Sequence, residues 1–212
     1  QPVTDQNFVV TPLSSIMNAD GSTDYDTFKT KLGLDSDYMI RFNDPFSNLS
    51  NASLNKAAVV NTQIAIMKSI ISELGSGSES DVESTIATQI ITRTGDETSL
   101  GDTTWTKNAI TAISSSSDDF SPSSEQLVSL SAGISAFMQK INANDSSKSH
   151  SHFAKAGMTE LKDLMKKVME GTADSAEIDK LTFNTIAWIN ENTSWDGGTI
   201  TDNESELVTT TY

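Results

Sequence analysis

The sequence predicts an all-α, multi-helix bundle of about seven helices with extended, β-like segments at both termini. Three observations predict it. Apolar residues recur mostly at spacings of three and four. Capping residues and glycines bracket those runs. Runs of β-branched residues stand near the two ends, at Phe8, Val9, Val10 and Thr11 and at Leu207, Val208, Thr209 and Tyr212.

The elements follow in order. Thr11 and Pro12 read as an N-cap followed by a proline at the first helical position. Leu13, Ile16 and Met17 then share a face, and Gly21 closes the turn. Tyr25, Phe28 and Leu32 form the next stripe, with Gly33 at a C-cap position. The strongest element spans about residues 54–74. Val60, Ile64, Met67, Ile71 and Leu74 form its main seam, and Val59, Ile66 and Ile70 a second stripe. This helix is expected to be buried on more than one side.

After the Gly75, Ser76, Gly77 stop, Ser80 and Glu83 read as a capping box ahead of Val82, Ile86 and Ile90. Trp105, Ala109 and Ile113 mark a shorter helix. Ser121 and Pro122 repeat the cap-and-proline signature before Leu127, Leu130, Ile134, Met138 and Ile141. Residues 142–152 are polar and read as a loop. Ala154, Met158, Leu161, Met165 and Val168 follow, stopped by Gly171. Asp174 and Glu177 open a last helix through Ile178, Leu181, Thr185 and Trp188.

The expected organisation is an extended segment over 1–12, a helical bundle over 13–191 and an extended arm over 192–212. The chain starts at Gln1 and reads as a processed product or an excised piece.

Composition excludes several classes of function. The 212 residues carry 14 Lys and Arg against 29 Asp and Glu, a formal net charge of -15. Binding a phosphate backbone needs clustered cations, so nucleic acid is not an expected partner. Anionic lipid is disfavoured on the same ground. No apolar run reaches the length of a membrane span, so no membrane insertion is expected. The chain has no Cys, which removes disulfides, thiol nucleophiles and zinc-thiolate sites.

Candidate sites are few. Asn18, Asp20 and Asp24 surround Gly21 as calcium ligands would, but loop positions one and twelve would be Ile16 and Thr27. That stretch reads first as a helix-helix turn. No cofactor is expected, with calcium there as the alternative. His150 and His152 sit among Ser and Lys and read as solvated. Met138, Met158, Met165 and Met169 read as core, and Lys162, Lys166 and Lys167 as a solvated basic face. No nucleophile elbow, phosphate loop or zinc-protease motif is present, so the chain reads as a non-enzyme. Trp105, Trp188 and Trp195 are the candidates for a small apolar or glycan ligand. Asn-x-Ser/Thr triplets at Asn48, Asn51, Asn144, Asn192 and Asn203 would matter for glycosylation only after secretion by a eukaryote.

Val9, Val10, Thr11, Pro12, Leu13, Ser14, Ser15 and Ile16 resemble the "VVTPLTTL" opening of a helical module of very large bacterial secreted and cell-surface, adhesin-like proteins. In the same order, Leu32, Gly33 and Leu34 resemble its "LGL". Asp44, Pro45 and Phe46 resemble its "DPl", and Asn61 and Thr62 the "Nt" of a following helix. The resemblance covers residues 8–75. It implies a non-catalytic helical unit and brings no functional residues with it. About a quarter of the chain is Ser or Thr, and with the acidity this suits an extracellular setting. The resulting expectation is a structural or adhesive module at the cell surface. Its partners would be copies of itself or adjacent domains, met through Phe8, Val9, Val10, Thr11, Leu207, Val208, Thr209 and Tyr212 as strand templates.

Overall fold

The computed structural model describes residues 9–19, 25–74, 78–93, 100–116, 120–142 and 147–192. The helical segments are α1 (Pro12–Ala19), α2 (Tyr25–Leu32), α3 (Ala52–Glu73), α4 (Glu79–Ile91), α5 (Thr103–Ser116), α6 (Ser124–Asn142), α7 (Ser147–Ala156), α8 (Lys162–Glu170), α9 (Ser175–Phe183) and α10 (Thr185–Asn192). A π turn, Gly157–Leu161, joins α7 to α8 as one continuous rod, so the described residues form nine helices and no strand. The fold is all-α.

The core is organised around α3. Residues 57–64 are all buried, and successive helical positions are about 100° apart, so no single face can account for this. Segments α1, α4, α6, α7, the π turn and α8 all pack on it. Three polar residues lie at its centre, and each is hydrogen-bonded as burial demands. Asn61 donates to the Ala57 carbonyl at 2.8 Å, and its Oδ1 accepts from the Leu13 amide at 2.9 Å. That amide belongs to the first turn of α1, where no intrahelical acceptor exists. Thr62 donates to the Ala58 carbonyl at 2.9 Å. Gln63 Nε2 donates to the Met138 carbonyl of α6 at 3.0 Å. Gly157 opens the π turn against this helix. A Cβ there would lie 2.6 Å from Ile66 Cδ1, so the missing side chain sets the spacing between α3 and the rod.

A second knot of the core is aromatic. Phe137 of α6 meets Phe153 of α7 edge-on at 5.8 Å and Trp188 of α10 at 6.5 Å. The hydrophobic cluster runs without a break from Leu13 to Ile189.

The caps explain the helix boundaries. Thr11 caps α1 as expected: the Ser14 amide donates to Thr11 Oγ1 at 3.2 Å, and the Thr11 amide donates to Ser14 Oγ at 2.8 Å. Gly33 and Gly171 end α2 and α8 with φ of 61° and 69°, a region where a side chain would be strained. Two boundaries differ from expectation. The box at α4 is Ser78 with Asp81, not Ser80 with Glu83, because the helix starts at Glu79. The box at α6 is Ser123 with Gln126, not Ser121 with Pro122. Gln126 Nε2 also donates to the Met169 carbonyl at 2.8 Å, so one side chain serves both α6 and the end of α8. The last expected helix is two, because Asn184 breaks it with φ -145° and ψ 56°.

Residues 142–152 are a further correction. The chain re-enters a helix at Ser147, and His150 and His152 are buried rather than solvated. At helical spacing His150, Phe153 and Gly157 share a face, and all are buried in the bundle.

Replacing Asn61 by Ala leaves the Leu13 amide without its acceptor inside the core. The expected loss is ~1–3 kcal/mol of unfolding free energy, read as a lower denaturant midpoint at unchanged slope.

Candidate interaction surface

Residues 33–51 connect α2 to α3 by a chain of turns, and they carry three of the seven large apolar side chains exposed among the described residues, the others being Val10, Val128, Met158 and Phe183. The connection begins with the left-handed Gly33, after which the Leu34 amide returns to the Lys29 carbonyl at 2.8 Å. Asp44 then holds an Asx turn, accepting from the Phe46 amide at 2.9 Å. Between these fixed points the segment is anchored by Tyr38 and Ile40, which are buried. Burial, helped by Asp44, pushes the Tyr38 phenol up to about 12, so it stays protonated.

Anchoring alternate residues leaves their neighbours outside. Met39 is 54% exposed, Phe42 39% and Phe46 46%. Val10 joins them at 85%, because the Val9 amide donates to the Arg41 carbonyl at 2.8 Å. Tyr25, Tyr38, Met39, Ile40 and Phe42 line an apolar cleft of about 180 Å³. Lys29 and Arg41 border it, and the Arg41 guanidinium lies 5.2 Å over the Tyr25 ring.

A second cleft, of about 200 Å³, lies between the end of α4 and the start of α5. Its lining is polar and includes Gln89, Arg93, Asp102 and Asn108 beside Trp105. Asp102 accepts from the Trp105 amide at 2.7 Å, and the indole donates to the Gln89 carbonyl at 3.2 Å. Trp105 is therefore held as part of the wall.

The residues singled out from the sequence fall in different places. Thr11 is buried and acts as the α1 cap. Val9 lies against the α2–α3 connection and Val10 faces solvent. Phe8, Leu207, Val208, Thr209, Tyr212 and Trp195 lie outside the described residues, as do Asp20 and Asp24. Asn18 sits in α1. Trp188 is core, and its buried Nε1 has no hydrogen-bond partner among the described residues. Met138 and Met165 are core as expected, whereas Met158 is 40% exposed. Lys162 and Lys166 converge on Glu73 at 3.4 and 2.9 Å, and this pairing holds the Glu73 carboxyl below its ordinary range. Asn51 is the N-cap of α3, accepting from the Leu54 amide, and Asn48 accepts from the Ser50 amide. Among the described residues no group of three or more metal-ligating side chains occurs, and no helix is long and apolar enough to cross a membrane.

Met39 and Phe42 were not singled out from the sequence, and Phe46 was named only beside Asp44 and Pro45 in the family likeness. Their signal is apolar residues without helical period between two turn markers, Gly33 and Asp44–Pro45.

No family model, curated protein or solved structure matches this chain.

His150 backs this surface. Its Nε2 lies 3.2 Å from Asn55 Oδ1, and its ring meets Phe46 edge-on at 6.2 Å. Burial holds its pKa below the ordinary 6.5, and burial with Lys155 does the same for His152. The folded state then binds fewer protons than the unfolded chain, so this contribution to stability is lost as pH falls below 6.5. In a ¹H–¹³C titration both imidazoles are expected to titrate below 6.5, and His150→Gln to flatten the acid limb of stability against pH. A midpoint at or above 6.5 for either ring would contradict its burial.

Proposed function

We propose that this chain is a non-catalytic structural or adhesive module of an extracellular bacterial surface protein. It associates with copies of itself or with adjacent domains of a larger protein, as a filament or surface-layer building block. One observation carries the reading: Val10, Met39, Phe42 and Phe46 expose apolar side chains on and beside a connection whose backbone is anchored by buried neighbours. Exposed apolar side chains on and beside one short connection of a net-acidic chain point to a contact site.

Two further features support it. Val9, in the stretch that carries the likeness to surface-protein modules, bonds the carbonyl of Arg41, which lines the apolar cleft. The N-terminal extended segment also lies on its own bundle through the Val9–Arg41 bond, so on this side it serves as part of the contact face.

A second reading is a helical domain that binds a small ligand, and the cleft beside Trp105 favours a polar, glycan-like one. Gln89, Asp102 and Asn108 offer amide and carboxylate groups suited to hydroxyls. Under that reading, calorimetric titration with simple sugars gives saturable heat that Asn108→Ala abolishes.

The test of the leading reading is the mass of the full chain against concentration, by sedimentation and light scattering, with and without calcium. Reversible growth with concentration is expected. A single monomeric species up to millimolar chain would overturn self-association.

A further inference from the structure

We infer that the cleft beneath Met39 and Phe42 receives the segment 202–212 of a second copy, joining copies head to tail. The inference rests on the self-association proposed above and names its two halves.

The acceptor half is described. Its floor is aromatic and aliphatic, from Tyr25, Tyr38 and Ile40, and its mouth is flanked by exposed Met39 and Phe42. Arg41 borders it, beside Lys29, whose ammonium is paired with Asp26 at 2.9 Å. A complementary ligand is an apolar segment with acidic residues on one side. Segment 202–212 has that pattern: Asp202, Glu204 and Glu206 lead into Leu207 and Val208, then three threonines and Tyr212. Its β-branched composition suits an extended peptide, and the backbone of Val9 already bonds the Arg41 carbonyl at the cleft's border.

The cleft is built on α2, which packs on α4, whereas the last described helix, α10, packs on α6 and α9. Acceptor cleft and donor segment are different stretches of the chain. A contact between unlike surfaces is heterologous, and unless it closes into a ring it propagates as an open chain.

The experiment uses two full-length variants. Leu207→Asp with Val208→Asp spoils the donor, and Met39→Asp with Phe42→Asp spoils the acceptor at residues outside the core. Circular dichroism checks that both keep the helix content of the wild type. The wild type should polymerise, and each variant alone should associate at least tenfold more weakly. An equimolar mixture should give 1:1 dimers that do not grow, because each dimer retains only spoiled surfaces. A free peptide of residues 202–212 should disperse wild-type polymers, while the same peptide carrying both Asp substitutions should not. If the wild type is monomeric throughout, self-association fails and this inference with it. If the wild type polymerises but neither variant weakens it, or the mixture yields no dimer, the pairing is overturned while self-association stands.

Discussion

The fold depends on one constraint: α3 has no solvent-facing side through its middle, so everything else must be arranged to enclose it. A helix whose residues 57–64 are all buried cannot fold by itself in water. Its neighbours are the elements that supply its surroundings, and each is short, amphipathic or both. Burying an aliphatic side chain such as Ile64 or Ile66 stabilises the fold by roughly 1.5–3 kcal/mol, which sets α3 as the main source of cohesion. Such burial is non-directional, so it does not fix how the neighbours are turned. The polar triplet does. Asn61 accepts only if the first turn of α1 is in place, and Gln63 donates only if α6 is in register. Apolar area supplies the cohesion, and two amide side chains supply the orientation.

The same arrangement explains the short motifs near the N-terminus. Thr11 caps α1, Gly33 ends α2, Asp44 holds the turn before α3, and Asn61 accepts from the Leu13 amide. Each residue is a local structural device. The last of them, Asn61, reaches the first turn of α1 across 48 residues of sequence by one hydrogen bond. A segment wired in this way places Tyr38 and Ile40 inside, and by alternation places Met39 outside.

Much of this architecture was legible because it rests on local signals. The Val60, Ile64, Met67, Ile71 seam, the Gly33 and Gly171 stops and the Thr11 cap are set by residues within a few positions of each other. The shifted boxes at Ser78 and Ser123 show how far such reading extends. Neighbouring serines compete for the same role, and the choice is made by which one has Asp81 or Gln126 in reach. The surroundings of His150 were hidden because its partners, Asn55 and Phe46, lie far away in sequence. Gln63 was hidden in the same way, since its acceptor lies 75 residues downstream. The exposed apolar set was missed for a different reason. Reading by period discards apolar residues that lack one, and a connection anchored at alternate residues has none of helical length.

An acidic chain that associates must reconcile two opposed effects. At a net charge of -15 copies repel one another at long range, although at physiological salt the repulsion is screened beyond about 8 Å. Contacts that bury little area, or that bring carboxylates together, therefore do not persist. On the proposed pairing, a contact that buries Met39 and Phe42 and also sets acidic residues against Arg41 is favoured by apolar area and by local charge. On the proposed reading, repulsion over most of the surface selects against wrong partners, and the cleft face supplies the specificity.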